Sequence, residues 1–163
     1  VYIINFGDMG DVTVTGDEVT DMSGTFQAFR FDVRGAGNSL EQAITASSDN
    51  GTVFFEQTLS LSLPKLSKED MVQFKLLSYS RPHCVIVDNN GNALLAGKEF
   101  GLTVSGGSIT TSDTMGGMSG TTLTLTGQEK LPANFISGAT VANPFAGLPT
   151  ASTSATIVVG TNS

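Results

Sequence analysis

The stretch Phe29-Arg30-Phe31-Asp32-Val33 alternates apolar and charged side chains with a period of two. Leu59, Leu61 and Leu63 alternate with Ser60 and Ser62 in the same way. Period two sends successive side chains to opposite faces of a strand, so each run reads as a half-buried strand. Shorter runs of the same character occur at Tyr2-Ile3-Ile4, Val12-Thr13-Val14-Thr15, Leu102 to Val104 and Thr122 to Thr126. Asn90-Gly91 between Cys84–Asp88 and Ala93–Ala96 is a strong short-range hairpin signal, because a primed turn needs positive φ. The chain is therefore expected to be mainly β, an antiparallel β-sandwich or barrel with one short helix and long loops.

The helix signal lies between two prolines. Pro64 ends the preceding strand, Ser67 is a good N-cap, and Glu69 and Asp70 favour the positive end of the helix dipole. The helix is expected over about 67–79, stopped by the restriction that Pro82 places on Arg81. Met71, Phe74 and Leu77 or Ser78 form a stripe at helical spacing that would pack on the sheet.

Gly35 to Gly51 reads as a polar loop of about 17 residues joining Phe29–Val33 to Thr52–Leu63, where ordinary hairpins use 2–5. Loops of that length usually have a function, so Gly35, Asn38, Leu40, Ile44, Asn50 and Gly51 are the expected assembly loop. Ser105 to Gly120 reads as a second long connection.

Residues 1–140 read as a single β domain and 141–163 as an extended C-terminal arm. The arm has no charged side chain, and Pro144 and Pro149 keep it extended. A free tail would carry charge to stay soluble. Pro144, Phe145, Leu148, Ile157 and Val158 are thus expected to lie on a partner, and Ala155 to Val159 could add a strand to its own sheet or to a neighbour's.

Composition narrows the function. Charged residues are 14% of the chain and the net charge is −7, without a Lys/Arg-rich stripe for wrapping nucleic acid. A surface of Ser, Thr and Gly is buried against neighbours at little desolvation cost, which suits an assembly protein. No apolar run approaches the roughly 20 residues of a membrane-spanning helix.

Catalytic constellations are not apparent, and neither an enzyme nor a cofactor is expected. Cys84 lies in the apolar run Cys84-Val85-Ile86-Val87 and reads as a small core residue. His83, its neighbour, points to the opposite face of a strand and would not serve it as a base. The nearest approach to a metal motif is Asp88, Asn90, Asn92 and Glu99, at positions 1, 3, 5 and 12 of an EF-hand loop. Ala93 stands where that loop needs glycine, no helices flank it, and a hairpin explains the same residues.

The order of a strand with a long loop (Phe29 to Leu63), a capped helix (Ser67 to Tyr79), a tight hairpin (Val85 to Leu95) and further strands resembles the tail-tube type of bacteriophage virion protein. Val85 to Gly101, Thr121 to Glu129 and Leu131 to Phe135 also look like small phage structural proteins; with Phe29 to Leu63 and Ser67 to Tyr79 the resemblance covers roughly half of the chain. The resemblance implies a virion protein whose identical subunits form rings, commonly hexameric, that stack into a tube and meet other virion proteins. Inner sheets would line the lumen and the long hairpin loop would bridge neighbouring rings. An acidic lumen would not grip passing DNA, so no sequence-specific nucleic-acid contact and no membrane is implied. The uncharged arm would equally suit a head–tail neck ring. A capsid decoration or head-fibre protein, and a secreted β-sandwich binding module, remain open alternatives.

Overall fold

The computed structural model describes residues 1–33, 36–64, 72, 75–115, 117 and 119–159. The chain is mainly β, as its alternating patterns predict. Among the described residues twelve strands form two sheets: β1 Tyr2–Ile4, β2 Val12–Thr15, β3 Glu18–Met22, β4 Phe26–Arg30, β5 Ser39–Ser47, β6 Thr52–Pro64, β7 His83–Val87, β8 Ala93–Ala96, β9 Thr103–Thr110, β10 Gly120–Glu129, β11 Asn134–Ile136 and β12 Ala155–Val159. The large sheet has the order β12-β4-β1-β7-β8-β11-β3-β2, and the small one β5-β6-β10-β9. Pairing is antiparallel except for β12 on β4 and β11 on β3, which are parallel.

Two apolar clusters lie on opposite faces of the large sheet. The first contains Tyr2, Ile4, Val19, Met22, Phe26, Val85 and Leu95, the inside of a half-barrel. The second contains Ile3, Phe31, Cys84, Ala96, Leu59, Leu61, Leu63, Leu123 and Leu125, and joins the large sheet to the small one. Alternation explains the division: Tyr2 and Ile4 face one cluster while Ile3 faces the other, so β1 is buried on both sides. β7 divides likewise, with Val85 to the half-barrel and Cys84 to the sandwich.

The expected loop Gly35–Gly51 is mostly strand. β5 pairs with β6 from Ser39↔Ser60 to Ser47↔Thr52, and the turn is residues 48–51. Phe29–Val33 does not pair with Thr52–Leu63; β4 pairs with β1 and β12 in the other sheet. The alternation in β5 was hidden by Gln42, a polar residue on the face that carries Leu40 and Ile44. Its Oε1 accepts the Ala133 N–H at 2.8 Å. The expected connection Ser105–Gly120 is shorter than the sequence suggested: residues 105–110 belong to β9, and residues 111–119 connect it to β10.

β7 and β8 form the hairpin expected around the turn Asn89-Asn90-Gly91, with residues 88–92 connecting them. Only Gly91 has positive φ, at 90°, and Asp88 and Asn92 close the loop through Asp88 N–H to Asn92 O, 2.9 Å. Most of the expected helix 67–79 lies outside the described residues; residues 72 and 75–77 are helical.

The C-terminal segment departs from the arm expected on a partner. Phe145 and Leu148 are fully buried in the half-barrel, where Phe145 meets Tyr2 and Phe26 edge-on at 6.2 and 5.5 Å. Pro144 is buried, Ile157 packs on the same cluster, and Val158 pairs with Phe29 as β12 extends the chain's own sheet. Absence of charge here reflects an internal plug: the curled sheet leaves a trough that its own strands do not fill, and burial of apolar side chains there is favourable. A helical turn, Ala151–Ser154, links the plug to β12. Asp21 anchors it, accepting Thr150 N–H at 2.9 Å and Thr150 Oγ1–H at 2.6 Å.

Candidate assembly surfaces

The small sheet is unfinished in two ways. Its outer strands, β5 and β9, each leave an edge unpaired among the described residues. Soluble proteins protect such edges with lysine, proline, bulges or short strands. Here β5 has one charged residue, Glu41, β9 has none, and neither contains proline. β9 carries one register shift against β10, at Thr124/Leu125.

The second feature is an overhang. Glu129, the last residue of β10, pairs with Phe55. Beyond it β5 and β6 continue through Thr45↔Phe54, Ala46↔Val53 and Ser47↔Thr52 before turning. The face that carries Leu40 and Leu59 into the core therefore runs on past the body as Ile44, Phe55, Ala46 and Val53. Ile44 is 71% exposed and Val53 56%.

The other end of the same sheet is concave. A groove of about 730 Å³ is lined by Val72, Lys75, Val104, Ile109, Thr121 and Leu123 among others. Thr121 is buried, and its hydroxyl is the buried side-chain polar atom without a hydrogen-bond partner among the described residues. Such a group is rare in a settled core and costs about 1–3 kcal/mol.

The outer face of the sheet is a field of hydroxyls. Thr122, Thr124 and Thr126 stand opposite Ser62, Ser60 and Thr58, and Ser108 Oγ lies 2.9 Å from Thr122 Oγ1. Glu41 and Glu56 are the charges of β5 and β6 on this face.

Where the large sheet meets the overhang end, a buried polar network shapes the loop 97–101. Glu129 accepts the N–H groups of Glu99 and Phe100 at 3.1 and 2.9 Å. Gln57 Oε1 accepts Gly97 N–H at 2.8 Å, and His83 Nδ1 bonds to Gly97 O. Gly97 and Gly101 have φ of 67° and 72°; a Cβ on Gly97 would collide with the Gly101 backbone, and one on Gly101 with the Arg81 carbonyl. Burial lowers the His83 pKa below its ordinary 6.5, holding the ring neutral near pH 7.

The expected site residues distribute as follows. Asn38 holds the start of β5, its Oδ1 accepting Ser62 N–H at 2.7 Å. Leu40 packs on the sandwich core. Ile44, Asn50 and Gly51 lie on the exposed hairpin, and Gly35 lies outside the described residues. Asp88, Asn90, Asn92 and Glu99 do not converge. The Asp88 carboxylate accepts Asn90 N–H at 2.9 Å and Asn92 N–H at 2.8 Å, while Glu99 sits at the far end of β8 beside Lys130, 3.6 Å away. Backbone donors, Asn92 foremost, hold the Asp88 carboxyl below its usual pKa. Burial pushes the Cys84 thiol up to about 12, away from the reactive range. No group of three or more His, Cys, Asp or Glu capable of holding a metal occurs among the described residues. Glu129 is the residue that sequence reasoning missed; two glycines flanking a short charged loop at 97–101 were the available signal.

Comparison with protein-family models, with curated proteins and with solved structures finds no match to this chain.

Proposed function

We propose that this chain is a structural subunit that assembles with copies of itself, as the tail tube or head–tail neck ring of a phage particle that its sequence resembles. The observation that carries the reading is the unfinished small sheet, with two open edges poor in charge and an apolar face running off one end. One edge on each side of a subunit is a heterologous arrangement: β5 of one copy can meet β9 of the next, and repetition closes a ring if the rotation allows. Pairing in this way satisfies both rows of backbone donors and acceptors.

The ends of the sheet support stacking. The apolar overhang at one end and the apolar groove at the other match in character along one axis, so a ring could seat its hairpins in the grooves of the next. The hydroxyl face, with Glu41 and Glu56 as the charges of β5 and β6, would suit a conduit that does not hold DNA. No step of this reading needs a catalytic residue or a cofactor.

Negative-stain electron microscopy and multi-angle light scattering of the purified chain test it. Rings or tubes of uniform diameter are expected. A monodisperse monomer at every concentration would overturn it, and trimers that bind only to a preformed capsid would favour a decoration protein instead.

A further inference from the structure

The sequence contains two Asn-Gly pairs, Asn50-Gly51 and Asn90-Gly91. Both asparagines are exposed, each in the turn of a hairpin, β5–β6 and β7–β8 respectively. The pairs share one chemical weakness. The backbone nitrogen that follows an asparagine can attack its side-chain amide carbon and close a five-membered imide. Glycine favours the step, because it has no Cβ to crowd the nitrogen and its backbone turns freely. Asparagine counts among the thermolabile residues for this reason.

The structure treats the two pairs differently. In the β7–β8 turn the Gly91 N–H donates to Asp88 O at 3.2 Å. Asn90 N–H and Asn92 N–H donate to Asp88 Oδ1 at 2.9 and 2.8 Å, and Asn92 Nδ2 donates to Oδ2 at 3.3 Å. The nitrogen that would attack is therefore held, and the carboxylate beside it disfavours the amide anion that must form. Gly91 also lies against Val141, whose Cγ2 is 3.7 Å from where a Cβ would stand.

The β5–β6 turn has none of these restraints. Ser47↔Thr52 is the last pair of the hairpin, and neither Asn50 nor Gly51 makes a hydrogen bond within the turn among the described residues. Gly51 has a φ of 63°, and nothing lies within 4 Å of where its Cβ would stand. The neighbouring carboxylate, Asp49, makes no hydrogen bond to either residue. Ile44 and Val53 are exposed on the same hairpin, so the tip stands clear of the body.

We propose that Asn50 is a self-modification site. Gly51 N bonds to Asn50 Cγ, the bond from Cγ to the side-chain nitrogen breaks, and that nitrogen leaves as ammonia, taking the Gly51 amide proton. Water then adds to one of the two imide carbonyls and breaks its bond to the ring nitrogen. Opening at Cγ gives aspartate; opening at the backbone carbonyl gives isoaspartate, which lengthens the main chain by one methylene. Each event consumes one water, releases one ammonia and leaves one new carboxylate beside Asp49. The chemistry is independent of self-assembly. Its consequence rests on that reading: the new charge marks copies left unassembled, since a hairpin seated in a neighbour is shielded from reaction and a charged tip costs desolvation on seating.

Full-length protein held at neutral and at mildly alkaline pH is mapped by peptide mass spectrometry, with fragmentation that separates aspartate from isoaspartate. Conversion at Asn50 is expected to outpace that at Asn90 about tenfold or more, because the second pair must first break its hydrogen bonds to Asp88. Conversion at Asn50 should rise with pH, and Asn50→Gln should abolish it. Asp88→Ala, shown to be folded by its melting temperature, should raise conversion at Asn90 and leave Asn50 unchanged. Equal rates at the two pairs in the wild type, a faster Asn90 or an unmodified Asn50 would overturn the inference. Asn50→Asp tests the consequence in light scattering, where it should weaken assembly. A variant that assembles as the wild type does overturns the marking of unassembled copies. A wild type that never assembles overturns the self-assembly reading and leaves the modification standing.

Discussion

Ile44 and Phe55 face each other across the β5–β6 hairpin on the side that carries Leu40 and Leu59, yet Ile44 is 71% exposed where Leu59 is 1% exposed. One strand face thus passes from core to open surface within a few residues. In the isolated chain Ile44 has little to lose. Ile44→Lys should shift monomer stability by no more than about 1 kcal/mol. Under the assembly reading it should abolish higher-order species in light scattering. Unchanged assembly would show that this face is not buried between copies.

Phe145 and Leu148 fill the half-barrel from the last part of the chain. Phe145→Ala should cost about 3–5 kcal/mol and Leu148→Ala about 2–5 kcal/mol, read as a lower urea midpoint. Val141→Ala, at an exposed position, should change stability by about 0.5 kcal/mol or less. Equal midpoints for all three would place the segment outside the core.

His83 is the chain's one histidine, so its titration can be isolated. Its pKa in the fold lies below the ordinary 6.5, chiefly through burial. Between those two values the unfolded chain holds a proton that the folded chain does not, so stability rises with pH there and falls as pH drops from 6.5. Asp21 and Asp88, held below 3.8 by Thr150 and Asn92 respectively, lose their contributions only at more acid pH. Urea midpoints from about pH 7.5 to 5 should decline in wild type and flatten in His83→Gln. A decline that persists in the variant would assign the effect elsewhere.

Cys84 is fully buried, with a thiol pKa of about 12. At pH 8 it should resist alkylation in the native protein and react at a rate that follows the unfolded fraction as urea is added. Rapid labelling without denaturant would mean that β7 opens locally.

Period two made β6 legible in the sequence, because Leu59, Leu61 and Leu63 alternate with serines; the run Phe29–Val33 located β4 only in part, since the strand is Phe26–Arg30 and its other face buries Phe26 and Ala28. It did not reveal β5, whose inward set Leu40, Gln42, Ile44 and Ala46 includes a glutamine bonded to a distant backbone N–H. The lack of charge after Val141 was visible, but its meaning was not. A segment buried in its own trough and one buried on a neighbour have the same composition, and only the curl of the large sheet separates them.

The half-barrel's walls begin at Tyr2, while its filling comes from Phe145 and Leu148. A ribosome making this chain from its N-terminus therefore releases most of the walls, β1 to β8, well before the plug, while β11 emerges just ahead of it and β12 after it. Until residues near 150 emerge, the trough stands open with Tyr2, Ile4 and Phe26 exposed to water, and the large sheet cannot reach its final stability. Completion of the half-barrel waits for Phe145 and Leu148, so a product truncated before them would be left with a sticky concave face for chaperones and proteases to recognise.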